Sequence, residues 1–320
     1  MSGNRLTRFL RRHGTAAPRM AGWALLRSLY CREGVRRCIR PWVRARHPQK
    51  WLFVVGCYNS GTTVTQQLLA AHPAIRTLPW EGTLITSVLA NPEDAGWTRM
   101  WIRCPELMRM PDGQRPDLAD RIVRDWSPWW GSGGTVFLEK SITNVTRMEW
   151  LDRHFPQAYF LGVTRNGYCA SEGIRRKARP RPAVAKTFGT TYSLEMAGQQ
   201  WVAANQSLRA GAQLVQRYHE IRYEDLMSQP ARNLAEIWKF IGLPVPEVQD
   251  TLGGVRVNGR EFQLQRETNR GSFSRLTAND IAQLRSVIQG EMERLRYPLD
   301  VEFTEPQTEC LTETRRHGDA

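Results

Sequence analysis

The stretch that most constrains this chain is Trp51 to Ala71. Trp51–Gly56 (WLFVVG) is a short, β-rich apolar run without polar alternation, the pattern of a strand buried on both faces. It closes on Gly56-Cys57-Tyr58-Asn59-Ser60-Gly61-Thr62-Thr63, and a helical stretch from Thr63 to Ala71 follows, stopped by His72-Pro73. A strand feeding a glycine-bounded turn that opens a helix presents backbone N–H groups and a positive helix end to an anion. Ser60, Thr62 and Thr63 add hydroxyl donors. The bland alternative is a plain glycine turn between strand and helix.

The turn nearly matches the triphosphate-binding pattern G-x4-G-K-[ST], but Thr62 stands where the lysine belongs. That lysine serves the β and γ phosphates, so its loss disfavours ATP or GTP chemistry. A ligand with one 5′-phosphate carrying a further anionic group fits better.

Beyond the loop, strands and helices alternate. Strands are predicted at Thr135–Leu138, Ala158–Val163 and Glu220–Tyr223. Helices are predicted at Thr63–Ala71, Thr146–His154, after Gly167, Ser193–Ala210, Pro230–Ile241 and Ala278–Leu295. Residues 175–186 read as a basic, Pro-rich loop and Gly253–Leu276 as a Gly/Arg-rich one. The alternation implies an α/β fold, a central parallel sheet flanked by helices on both faces in three layers. Residues 82–134, rich in Pro and Trp, read as a helical cap insertion. The expected organisation is a basic amphipathic extension over 1–48, the main domain over 49–300 and a tail over 301–320. With 320 residues, 41% of them hydrophobic, the chain can bury a large core, and disorder is excluded.

The net charge of +14 is unevenly placed. Residues 1–50 carry 13 Lys/Arg and one acid, Glu33, so the remaining body is nearly neutral. A neutral body argues against a duplex-binding face, and no nucleic-acid partner is expected. From Arg19 to Val43, Met20, Trp23, Leu26, Leu29, Tyr30, Val35, Ile39 and Trp42 recur at helical spacing among arginines, with Pro41 set to end the helix. This basic N-terminal helix either lies on an anionic membrane surface or packs on the domain with a solvated face. No apolar run is long enough to span a membrane, and Ala21–Leu26 is too short for a secretory core. The six cysteines have neither zinc nor disulfide spacing, and the histidines suggest no metal site. The expected location is the cytoplasm, peripheral on the inner membrane face if the extension is interfacial.

With its loop and landmarks in order, the sequence resembles the sulfotransferases that use 3′-phosphoadenosine 5′-phosphosulfate (PAPS), and looks closest to the tyrosylprotein sulfotransferases and their bacterial relatives. Asn59-Ser60-Gly61-Thr62-Thr63, followed by His72-Pro73, resembles the family's donor loop, in which a Lys or Arg usually stands where Asn59 is. Leu138-Glu139-Lys140-Ser141 resembles the strand end whose lysine faces the reacting sulfate. Phe160–Gly167 resembles the strand-loop whose arginine, here Arg165, grips the 3′-phosphate. The family's serine eight positions later is Gly173 in this chain, and Ser171 is the nearest hydroxyl. Gly173's backbone, Arg175 or Arg176 are the other candidates for that donor. Tyr223, in Ile221–Leu226, resembles the tyrosine beside adenine. Asn269-Arg270-Gly271 resembles the basic loop closing on the 3′-phosphate, through Arg270 and Gly271.

The resemblance implies a P-loop-like fold, PAPS as sulfuryl donor without a metal, and transfer to an acceptor hydroxyl. Glu81, in Pro79-Trp80-Glu81-Gly82, lies near the family's base position and is expected to take the acceptor proton, with Lys140 stabilising charge on the sulfuryl group. Their bland readings are a helix-entry carboxylate and a strand-end lysine. His72 reads as structural. The acceptor is expected to be a glycan or glycolipid, with a protein tyrosine second. The cluster Trp126-Ser127-Pro128-Trp129-Trp130 either stacks on that acceptor or fills the core. Two other classes stand beside this reading: a P-loop kinase-like phosphotransferase, and a noncatalytic nucleotide- or polyanion-binding protein.

Overall fold

A computed structural model describes residues 29, 30, 32–246 and 269–300, and the backbone of 256–257 and 260–261. Residues 1–28 of the predicted extension, the tail over 301–320 and half of the loop expected at 253–276 lie outside the described residues. In chain order the elements are α1 (Glu33–Ile39), β1 (Lys50–Gly56), α2 (Thr62–Leu69), β2 (Ile75–Thr77), α3 (Pro116–Trp126), β3 (Val136–Glu139), α4 (Met148–His154), β4 (Ala158–Thr164), α5 (Gly167–Lys177), α6 (Pro182–Phe188), α7 (Leu194–Leu214), β5 (Tyr218–Arg222), α8 (Tyr223–Ser228), α9 (Pro230–Phe240), the antiparallel pair β6 (Arg256–Val257) and β7 (Arg260–Glu261), α10 (Arg270–Phe273) and α11 (Ala278–Arg294).

β1 to β5 form one parallel sheet in the order β2-β3-β1-β4-β5. β1 sits at the centre, all but its first residue buried. Its side chains divide by parity, as a pleated strand requires. Leu52 and Val54 join Leu68, Leu138, Leu161 and Trp238 on one face. Trp51, Phe53 and Val55 join Phe155, Phe160, Trp201 and Ile288 on the other. Helices cover both faces, as the alternation implied. From β1 the chain runs out to edge strand β2, returns through β3 and then crosses β1 to β4, so its direction across the sheet reverses around β1 and a crevice opens at the C-terminal end of that strand.

Some local expectations shift. α5 runs on to Lys177 and α6 begins at Pro182, so most of the segment expected as a basic loop over 175–186 is helical. The reason is local: Pro182 suits the first turn of a helix, where its missing N–H costs nothing. Tyr223 opens α8 rather than ending β5. The cap over 82–134 is built mainly of short 3-10 turns and α3. The tryptophan cluster resolves toward packing: Trp126 and Trp130 are buried, and Trp129 is half-buried with its ring 4.8 Å from Tyr30.

α1 ends at Ile39, and Pro41 follows in a 3-10 turn. Arg36 donates to the Ile85 carbonyl of the cap at 3.1 Å, and Arg40, just past the helix, pairs with buried Asp125 at 2.8 Å, while Arg37 stays exposed beside Glu33. Arg46 donates to the Trp130 carbonyl at 2.6 Å. The described part of the extension therefore packs on the domain. No helix among the described residues is long and apolar enough to cross a membrane.

Candidate active site

The loop between β1 and α2 forms the floor. Asn59 has φ 63° and Gly61 φ 96°, both left-handed, and these reversals curl the chain so that Thr62 and Thr63 open α2. N–H groups in a helix's first turn have no intrahelical acceptor, so they are available to an anion. Ser60 is turned inward: its hydroxyl donates to the Cys57 carbonyl at 2.7 Å and its N–H to the same oxygen at 3.2 Å. Gly61 must be glycine for a second reason, since a Cβ there would run into the Tyr223 ring.

One wall follows β4. Arg165 donates to the Asn59 carbonyl at 2.9 Å and to Asn269 Oδ1 at 3.1 Å, and its guanidinium lies 4.6 Å from the Tyr223 ring centre. Asn269 Nδ2 donates to Glu224 Oε1 at 2.7 Å, and Tyr297 donates to Glu224 Oε2 at 3.0 Å. Asn166 caps α5 by accepting from the N–H groups of Tyr168 and Cys169. The structure thus brings Asn59, Gly61, Arg165, Tyr223 and Asn269 together, with Arg270 and Gly271 following Asn269 in the chain. Ser171 is fully buried, and its hydroxyl has no partner among the described residues. Arg175 is tied to Asp280 at 2.9 Å and Arg176 to Glu172 at 2.9 Å, which makes neither available as the missing donor.

The opposite wall joins the end of β3 to the cap. Lys140, immediately after β3, donates to Glu81 Oε1 at 2.5 Å. Lys140 is buried and Glu81 is about 30% exposed, so the carboxylate reaches open space while its partner does not. Glu81 stands at the entry of the 3-10 turn Gly82–Leu84 but its side chain does not cap it. The turn is held from three sides. Gly82 N–H donates to Glu139 Oε1 at 2.8 Å, Trp126 Nε1 donates to the Gly82 carbonyl at 3.0 Å, and Thr83 N–H donates to Ser141 Oγ at 3.2 Å. Glu139 also accepts from the Ser141 hydroxyl, and from Asn144 Nδ2 at 2.6 Å. Complete burial, opposed by its hydrogen bonds to Ser141 and Gly82, pushes the Glu139 carboxyl up to about 7.

The site contains residues that the sequence reading passed over. Glu139 was visible as part of a motif, but its neighbour Lys140 took the attention. Glu224, Asn269 and Asn144 carry no signal except membership of short motifs, because their roles depend on contacts 5 to 104 positions away. His72 is structural as expected: Ala74 N–H donates to Nδ1 at 3.0 Å, and Nε2 lies 3.1 Å from the Pro244 carbonyl. No cluster of His, Cys, Asp and Glu suited to a metal ion occurs among the described residues.

A parallel sheet with a glycine turn at the end of its central strand, an arginine wall and a Glu–Lys pair defines an α/β protein with a candidate anion-binding crevice at the sheet's carboxyl edge. Comparison with known proteins places it further: residues 52–247 match the model of the sulfotransferase family, and the chain belongs to that family. Sulfuryl transfer is the activity of this class.

Among solved structures, the sulfotransferase domain from the curacin biosynthetic pathway superposes with a TM-score of 0.50 at 17% identity, covering 80% of this chain and all of that one. The sulfotransferase domain of the Synechococcus PCC 7002 olefin synthase gives 0.49 at 18% identity, over 80% of this chain and 97% of that one. Mouse sulfotransferase SULT7A1, complexed with PAP, gives 0.43 at 12% identity, over 83% and 90%. No curated protein matches.

Proposed function

We propose that this protein moves a sulfuryl group from PAPS to an acceptor hydroxyl, with Glu81 as general base. The observation that carries this reading is the Glu81–Lys140 pair, 2.5 Å apart, between the cap and the strand next to the phosphate loop. In the reaction the acceptor oxygen gives its proton to Glu81 and forms a bond to sulfur, while the bond from sulfur to the 5′-phosphate oxygen breaks and releases PAP. Lys140 meets the charge that grows on the sulfuryl and bridging oxygens. Turning toward those oxygens loosens its hold on Glu81 as the carboxylate accepts the proton.

On the donor side, the loop from Asn59 to Thr63 receives the 5′ end and Tyr223 flanks the base. Arg165, with Arg270 and Gly271, receives the 3′-phosphate; Ser171, expected to add a hydroxyl, is fully buried and does not face it. Arg165 is held in place before any ligand arrives, which lowers the ordering cost of binding.

For the acceptor we favour a glycan or glycolipid hydroxyl, with a protein tyrosine second. Burial of Trp126 and Trp130 removes them as a sugar platform, but Trp80, next to Glu81, is half-buried and packs edge-on against half-buried Trp129 at 5.0 Å. An aromatic face beside the base suits a sugar ring.

The test is transfer of labelled sulfate from PAPS to a panel of glycans, lipids and tyrosine peptides, by wild type and Glu81→Gln. Turnover is expected to fall about 10²- to 10⁴-fold in the variant while its affinity for PAP stays unchanged. Turnover that survives the substitution rejects Glu81 as base. Tighter binding of ATP than of PAP, measured by calorimetry, rejects the donor.

A further inference from the structure

The phosphate loop has no cation of its own. No Lys or Arg occurs between Trp51 and Ile75, and Asn59 occupies the position where the related loop carries one. The surroundings of Asn59 show what compensates. A Cβ built on Gly173 would lie 2.9 Å from Asn59 Cγ and 3.2 Å from its Nδ2, so α5 meets the loop at Gly173 with no side chain between them. Asn59 Nδ2 is buried there without a partner among the described residues.

Lys177 lies four residues beyond Gly173 on the same helix and therefore on the same face. Side chains on a helix lean toward its N-terminus, so Lys177 leans toward the turn of α5 that Gly173 packs directly on Asn59. Its neighbours Arg175 and Arg176 are committed to Asp280 and Glu172, and Glu172 is also held by Arg275. The Lys177 side chain makes no hydrogen bond or ion pair with any described residue. From the cap, Arg99 lays its guanidinium 5.8 Å from the ring centre of Tyr58, the residue before Asn59, and forms no ion pair with a described residue either.

The remaining cations of the site are engaged, Lys140 by Glu81 and Arg165 by Asn59 and Asn269. Partial burial, then the fields of Arg99, Arg176 and Arg165, hold the Lys177 ammonium below its usual value. Glu172 offsets these like charges only in part, so they repel, and an anion placed among them relieves that repulsion.

We propose that Lys177, supported by Arg99, is the cation for the 5′-phosphoryl end of the donor, supplied from helix α5 in place of the one the loop lacks. This assignment rests on the donor reading above. It makes the two departures from the family pattern one arrangement: Gly173 lets α5 close directly on Asn59, which brings the helix that bears Lys177 to the loop, and Asn59 leaves the loop neutral.

Calorimetry with two probes separates the possibilities: adenosine 3′,5′-bisphosphate, and adenosine 3′-phosphate, which lacks the 5′ group. Lys177→Met is expected to weaken the bisphosphate about 10-fold or more and leave the 3′-phosphate within about twofold, because only a charge-assisted contact to the 5′ group is lost. Lys177→Arg retains most of the affinity, and adding Asn59→Lys to Lys177→Met restores it. Lys177 makes no hydrogen bond or ion pair with a described residue, so the melting temperature should change little, and this checks that the variants fold. Bisphosphate binding that is strong in wild type and unaffected by Lys177→Met overturns the subsite alone, as does an equal loss for both probes. Wild-type protein that binds neither probe overturns the donor reading, and the subsite with it.

Discussion

Glu139 is the residue through which the site and the stability of the protein are joined. Its carboxylate pins Gly82, the residue after the proposed base, and its burial raises its proton affinity. An unfolded glutamate titrates near 4.5 and the folded one near 7, so between these values the folded state holds a proton that the unfolded chain has released. Stability from this group is therefore fully present below about pH 4.5, declines as pH rises toward 7, and is level above it. The change is about 3 kcal/mol. Glu139→Gln should flatten the melting temperature against pH over that window; an unchanged slope would show that other groups carry it. The motif that contains Glu139 was readable, but its role was not, since it depends on Gly82, Ser141 and Asn144 closing around it in space.

At the scale of elements, the loop between β1 and α2 is a close fit rather than a generic turn. Gly61 is left-handed and abuts Tyr223, which arrives from the start of α8 more than 160 positions away. Gly61→Ala meets both a conformational penalty of about 1–2 kcal/mol and a clash with the ring. It should lower the melting temperature and weaken PAP binding together. Pairing it with Tyr223→Ala should recover much of the stability, and failure to do so would place the strain in the backbone alone. The β1–loop–α2 unit was legible because burial, glycine and hydroxyls follow one another along the chain. β2 escaped notice, being three residues long, only one of them buried, and so too short to show a period. The prolines of 175–186 make that segment read as a loop, although Pro182 sits where a helix tolerates it.

For the whole molecule, the strongly basic N-terminal region divides into two parts with different physics. From Tyr30 onward it is built into the cap through Asp125, which is almost fully buried. Asp125 accepts from Arg40 Nε at 2.8 Å and Thr86 Oγ1 at 2.8 Å, while its backbone carbonyl accepts from the Tyr30 hydroxyl at 2.7 Å. Breaking a buried pair from one side costs about 3–5 kcal/mol, so Asp125→Asn should lower the melting temperature by roughly 5–10 °C. The basic residues that reach this interface are neutralised there and have little charge left to offer a membrane.

Residues 1–28 hold six arginines and no acid, and if the protein meets an anionic leaflet, the attraction must come chiefly from them, with Trp42, 89% exposed, as an apolar contact at the boundary. We therefore expect sedimentation with phosphatidylserine vesicles to weaken steeply between about 0.05 and 0.3 M salt, as screening shortens the reach of each charge. Removal of residues 1–28 should abolish it, while Trp42→Ala should weaken it without changing the salt dependence. Wild-type protein that fails to sediment even at low salt would reject the membrane contact.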